Sequence, residues 1–148
     1  MTDKPIDIVP QPRIDTLVTD AAGRQRRRSE YAGTIWFGGR PEVSAYGIVA
    51  RSAPAVIDTP MFLPDSLAYR PDPLEDALVA CSVAIQGSQE GAAHVLECSA
   101  GIAPDPRNPS VYWAQLRVSA RVVVPFAVSY RVEVLVAMNG ILEKGEGA

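Results

Sequence analysis

Histidine occurs once in these 148 residues, cysteine twice, and lysine only at positions 4 and 144. Each scarcity removes a class of chemistry. With one histidine, any Ser-His-Asp or Cys-His arrangement would have to run through His94. Two cysteines are too few for a disulfide scaffold or a zinc finger. No apolar run approaches the roughly 20 residues that a membrane-spanning helix needs, so no membrane is expected among the partners. A formal net charge of −3 argues against nucleic acid held by overall attraction. No phosphate-cradling glycine motif is present, since Gly38-Gly39 falls between strand-like segments and not before a helix. The opening Met-Thr-Asp-Lys-Pro lacks the apolar core of a secretion signal, and the chain is expected to fold first in a cytoplasm.

What is present is a long alternation. From Tyr112 to Met138 every even position is apolar: Tyr112, Ala114, Leu116, Val118, Ala120, Val122, Val124, Phe126, Val128, Tyr130, Val132, Val134, Val136 and Met138. Gln115, Arg117, Ser119, Arg121, Ser129, Arg131 and Glu133 occupy the other face. A period of two predicts strand with one face on a core. At roughly 3.3 Å per residue, so long a strand would overrun a small domain. The stretch must therefore turn near Pro125, either as a three-residue hairpin or as one strand that kinks and passes between two sheets. The unshifted parity and the lack of Gly, Asn or Asp for a tight turn exclude a two-residue hairpin, and of the two remaining forms the second, a known device in sandwiches, is preferred.

Two further hairpins are expected. Tyr31 to Phe37 and Glu42 to Arg51 would pair around 38–41, placing Tyr46 over Gly33 and Ile48 opposite Tyr31. Ala77 to Ile85 and His94 to Ile102 would pair around 87–91, with Cys81 opposite Cys98 and Val83 opposite Leu96. Both thiols would then be neighbours in a core, and they are read as free. Ala55 to Leu63 is a third strand limited by Pro60, and Pro64 to Glu75 a loop with a helical turn near Pro73. The count is six or seven strands with proline- and glycine-rich connections. The expected fold is all-β: a single antiparallel β-sandwich (alternative: a small β-barrel) over 30–139. Before it, 1–29 reads as an extended arm containing Pro5, Pro10 and Pro12, and after it 140–148 reads as a flexible tail. Residues 15–20 are the arm's best candidate for adding to an open sheet edge.

Candidate chemistry is thin. His94 lies four residues from Cys98 on one strand, about 13 Å away, and is read as a partly exposed polar residue. Asp72, Glu75 and Asp76, with Asp65 nearby, could offer oxygen ligands but lack calcium-loop spacing, and fit a helix N-terminus better. The run Arg24, Arg26, Arg27 and Arg28 shares its segment with Asp15 and Asp20, which suits pairing between subunits better than a phosphate arm. No catalytic, cofactor-binding or metal residue is expected, and no cofactor. The expected interface residues are Ile14, Leu17, Val18, Arg26, Arg27 and Arg28 on the arm, with Trp36 and Trp113 on the domain.

The sequence thus implies a non-enzymatic structural subunit of a larger assembly, a homo-oligomer partnered by itself and by other subunits. Its concrete form would be a bacteriophage or virion component (head decoration, head–tail joining or tail protein) located in the particle, with a cytoplasmic location as the alternative. The alternative function is a small-ligand-binding domain or small enzyme with a cleft around Trp113, Arg117 and Arg121.

Overall fold

The apolar stripe of 112–138 is divided between two facing sheets. A computed structural model describes residues 6–37, 42–44, 47–49, 55–71, 77–86, 93–122 and 126–142. Its strands, in chain order, are β1 (Ile6–Pro10), β2 (Ile14–Thr19), β3 (Gln25–Phe37), β4 (Glu42–Ser44), β5 (Gly47–Val49), β6 (Ala55–Phe62), β7 (Leu78–Ile85), β8 (Ala93–Pro104), β9 (Tyr112–Val122) and β10 (Phe126–Ala137). A single 3₁₀ turn, Met138–Gly140, follows. The larger sheet runs β1-β3-β10-β7, with β2 also on β3, and the smaller runs β6-β9-β8. β4 and β5 form a separate ribbon. All pairings are antiparallel. The fold is a β-sandwich, and among the described residues neither sheet closes into a barrel.

β9 lies at the centre of the smaller sheet and β10 within the larger one, and the two share no ladder. The chain therefore changes sheet between Val122 and Phe126, and of the two forms compatible with the unshifted parity the hairpin is excluded. Each half presents its even residues to the space between the sheets. Leu116, Val118 and Ala120 from β9 are fully buried, as are Val128, Val132 and Val134 from β10 and Ile35 from β3. At one end of this core Phe126, opposite Phe37 in register, stacks on it with ring centroids 5.3 Å apart. At the other end the loop after β6 is stitched to both sheets. Tyr69 exchanges two backbone bonds of 2.9 Å with Tyr112, and Leu142 N–H donates to the Ala68 carbonyl oxygen at 2.9 Å. Residues 140–142, expected in a flexible tail, are thus docked here, with Gly140 and Ile141 buried.

The segment expected as a free arm is built into the larger sheet of its own chain. β1 covers the C-terminal half of β3 (Pro10 opposite Gly33) and β2 covers its N-terminal half (Ile14 opposite Glu30). Between these pairs β3 supplies two residues, 31 and 32, while the arm supplies three, 11–13. That one-residue excess is a bulge, and it exchanges the two faces of the strand. Ile8 before it packs on the core, whereas Ile14 after it is 59% exposed. Pro12 sits within the excess, where its missing N–H costs no ladder bond. A strand that changes parity midway shows no sustained period, which is why the segment reads as structureless. β3 itself runs unbroken across the boundary expected at residue 30.

Gly33 marks the junction. An ideal Cβ built there would lie 2.4 Å from the Val9 carbonyl oxygen, 2.7 Å from the Tyr130 hydroxyl and 2.9 Å from Pro10 Cα. The aromatic expected over this glycine is therefore Tyr130, its cross-strand partner, and not Tyr46, which lies outside the described residues. Because β1 and β10 occupy both edges of β3, β4 and β5 pair with each other instead of with β3. Tyr31 accordingly faces Val132, not Ile48.

Candidate interaction surface

The residues expected on an arm interface are held by a compact ionic cluster. The loop from β2 to β3 turns on Asp20, whose carboxylate accepts the N–H groups of Ala22 and Arg24 at 2.9 Å each. Gly23, with φ +80°, supplies the left-handed residue that closes the turn. The hairpin then returns the arginines onto acids of the same segment. Arg24 and Arg26 pair with Asp20 at 3.1 and 3.2 Å, and Arg27 pairs with Asp15 at 3.0 Å. Asp15 also accepts from Arg13 Nε and from the Ser29 hydroxyl, the latter at 2.7 Å. Burial pushes the Asp15 carboxyl up, but the hydrogen bonds from Ser29, Arg27 and Arg13 outweigh it and hold the group below its ordinary range.

Arg13 Nη1 reaches on to the carbonyl oxygen and carboxylate of Asp65, so the arm is tied to the loop after β6. Beneath these ions the Tyr31 and Tyr69 hydroxyls share a hydrogen bond of 2.8 Å, and Tyr31 accepts the Leu67 N–H at 3.0 Å. Tyr69 is fully buried, and its phenol is held protonated well above its ordinary range, first by burial and then by the neighbouring Tyr31. Arg13, Ser29, Tyr31 and Tyr69 carry no spacing signal in the sequence. Only the arm's return across β3 brings them together.

On the outer face of the larger sheet, Arg28 and Glu30 of β3 meet Arg131 and Glu133 of β10. Glu30 and Glu133 are directly opposite in register, a repulsive arrangement that the two arginines neutralise. Arg28 lies 2.9 Å from Glu30 and 2.7 Å from Glu133, and Arg131 bonds Glu30. Hydrogen bonding from Arg131 holds the Glu30 carboxyl below its usual range despite some desolvation. The four charges sum to zero, with Ala80 and Ser82 of β7 beside Arg131 and Glu133. The basic run is thus paired with acids of its own chain.

The exposed apolar residues collect on the strands that end the larger sheet. On β2, Leu17 is 60% exposed, beside a half-buried Val18. On β7, Leu78 is 63% and Ile85 43% exposed. β7 (Leu-Val-Ala-Cys-Ser-Val-Ala-Ile) has neither charge nor proline. Its one ladder partner among the described residues is β10. Monomeric proteins usually blunt such an edge with lysine, proline or a bulge.

The two tryptophans expected at a domain interface lie on the outer faces of different sheets. Trp36 is half-buried on the outer face of the larger sheet, opposite Asp7 and Ala127. Trp113 is half-buried on the outer face of the smaller sheet and donates its indole N–H to Asp105 at 2.9 Å. That bond, with the backbone N–H of Arg107, holds Asp105 below its ordinary range. Beside Trp113 is an open cleft of about 270 Å³ lined by Phe62, Leu63, Asp65, Ser66, Asp105 and Pro106, smaller than most ligand sites. Arg117 is not among these residues and is exposed farther along β9, opposite Pro60 and Ser99, while the side chain of Arg121 lies outside what the structure describes.

β7 and β8 do not form the expected hairpin. β7 pairs with β10 and β8 with β9, so the two strands belong to opposite sheets. Cys81 and Cys98 are nevertheless neighbours, their sulfurs 3.4 Å apart, because the strands face one another across the sandwich. Leu96 is an extra residue between Val95, opposite Ala120, and Glu97, opposite Ser119. Because β8 pairs with β9, His94 lies opposite Arg121, while Ile85 of β7 lies opposite Val128 in the other sheet. Asp72, Glu75 and Asp76, and the helical turn expected near them, lie outside the described residues. Among the described residues no group of three His, Cys, Asp or Glu side chains could hold a metal ion, and no helix is long and apolar enough to cross a membrane. The sequence matches no protein-family model, and neither a curated protein nor a solved structure matches it.

Proposed function

We propose that this chain is a non-enzymatic structural subunit of a larger assembly, joined to further copies of itself through the ends of its larger sheet. The observation that carries the reading is β7, an uncharged, proline-free strand of eight residues at the edge of that sheet. Main-chain groups on such an edge pair with a strand from another chain, and the exposed Leu78 and Ile85 would be covered in doing so. Ile14 and Leu17 on β2, at the sheet's opposite end, supply a second apolar contact. A contact between two unlike edges is head-to-tail and builds rings or filaments. That geometry suits a bacteriophage or virion component, the particle form we infer, with head decoration, head–tail joining or tail as its place. Interlocked neutral ion pairs on the outer face suit a scaffold better than a catalyst.

The test is the absolute mass of the full chain by light scattering, beside a variant carrying Ala80→Lys and Ala84→Lys. Ala80 and Ala84 are exposed on β7, opposite Glu133 and Ser129, so two lysines should be tolerated by the fold. A concentration-dependent oligomer that becomes monomeric in the variant, with an unchanged circular dichroism spectrum, supports the reading. A wild-type monomer at every concentration overturns it. Closed rings or tubes in negative-stain micrographs support the particle form, and discrete dimers refute it.

A further inference from the structure

We propose that Cys81 and Cys98 are a disulfide site, a redox-controlled staple between the two sheets. The thiols lie on strands of opposite sheets with sulfurs 3.4 Å apart, and a bond of about 2.05 Å requires them to close by roughly 1.4 Å. Each occupies an inward register position, Cys81 opposite Val132 and Cys98 opposite Val118, and both partners are fully buried. Both cysteines are half-buried, so a small oxidant can reach them. Each strand also ends its sheet, where backbone can move without breaking a second ladder.

The oxidant is a small-molecule disulfide such as oxidised glutathione. One cysteine thiolate attacks a sulfur of the oxidant, forming a mixed disulfide and expelling one small thiolate. The second cysteine thiolate then attacks the protein sulfur of that mixed disulfide, forming the Cys81–Cys98 bond and expelling the other small thiolate. Two protein thiols are oxidised, one small disulfide is reduced to two thiols, and the two protons pass to the leaving thiolates. Exchange proceeds through the thiolate, and burial pushes the Cys98 thiol up to about 12, so the reaction is slow at pH 7 and quickens as pH rises. A reducing cytoplasm keeps the pair open, and an oxidising exterior closes it.

The bridge would close a loop of 17 residues in sequence separation, which limits the unfolded chain. For a protein of this size the oxidised form should melt about 6–12 °C above the reduced one. The test equilibrates the purified full chain in glutathione buffers of graded redox ratio at pH 8. Intact mass, non-reducing peptide mapping and melting temperature are then read. The expected result is loss of two hydrogens, a crosslinked peptide pair containing residues 81 and 98, and a raised melting temperature that Cys98→Ala abolishes. Two free thiols in the folded protein under oxidising buffer would overturn the proposal. So would stable glutathione adducts or crosslinks between chains, and these readings hold even if the variant does not fold.

Discussion

Replacing Gly33 by alanine tests the incorporation of the N-terminal segment most directly. The new Cβ would stand 2.4 Å from the Val9 carbonyl oxygen, where ordinary contact begins at 3.4 Å, so β1 must retreat by about 1 Å. A ladder bond such as Gln11 N–H to the Ala32 carbonyl oxygen, 2.8 Å long, does not survive a stretch of that size. Overpacking costs roughly 1–3 kcal/mol, and each lost bond about 1 kcal/mol more. The smaller entropy of an unfolded chain with alanine returns roughly 0.5–1 kcal/mol. The net loss is about 2 kcal/mol, or a melting temperature lower by about 4–8 °C at fixed protein concentration. Hydrogen exchange should speed up at residues 6–11 before the rest of the sheet. Adding Tyr130→Phe removes only the hydroxyl contact at 2.7 Å and should restore the smaller part. An unchanged melting temperature with unchanged exchange at β1, or full rescue by Tyr130→Phe, would refute the packing of β1 against Gly33.

Starting the chain at Glu30 removes β1, β2 and the first five residues of β3, leaving Val134 with β7 alone beside it and stripping Val136 of its partner Arg27. Such a chain should lose the cooperative melting transition, whereas a stable fragment with a native spectrum would show that the segment is dispensable. Asp15→Asn removes the charged partner of Arg27 and one of the two carboxylates beside Arg13. At this exposed position the change should cost up to about 1 kcal/mol at pH 7, measured by urea unfolding. The carboxyls of Asp15, Asp20, Glu30 and Asp105 are all held below their ordinary values. Their stabilisation is therefore complete above the unfolded values near 4 and lost as pH falls through the lower folded ones. Stability measured from pH 7 to pH 2 should fall mainly below about pH 4, and the fall should be shallower in Asp15→Asn.

Strand content and the two-layer architecture were legible from local chemistry, because each follows from the period of two. In β9 and β10 the described even residues remain on the core side, and the unshifted parity across Pro125 was compatible with the change of sheet that the structure has. Pro60 likewise falls on an edge strand, β6, where a missing N–H is tolerated. Where a bulge intervenes the signal fails. Three residues against two near Pro12 exchange the faces of the N-terminal segment, and Leu96 does the same within β8, so neither stretch presents one continuous stripe.

Pairing partners lay beyond local reading for a different reason. An apolar stripe on β7 can face a hairpin neighbour or a second sheet equally well. Both arrangements bury Cys81 beside Cys98, so the proximity of the thiols was foreseeable and its geometry was not. The same holds for the arginine run, whose charges are plain in the sequence while their acids are chosen by the turn at Asp20 and by the register of β3 against β10. Residue type and alternation settled that this chain makes strands with one buried face. Long-range pairing alone decided which faces meet, which edges stay open and which charges are already matched, because those depend on contacts between residues far apart in the chain, such as Arg28 and Glu133, 105 positions apart.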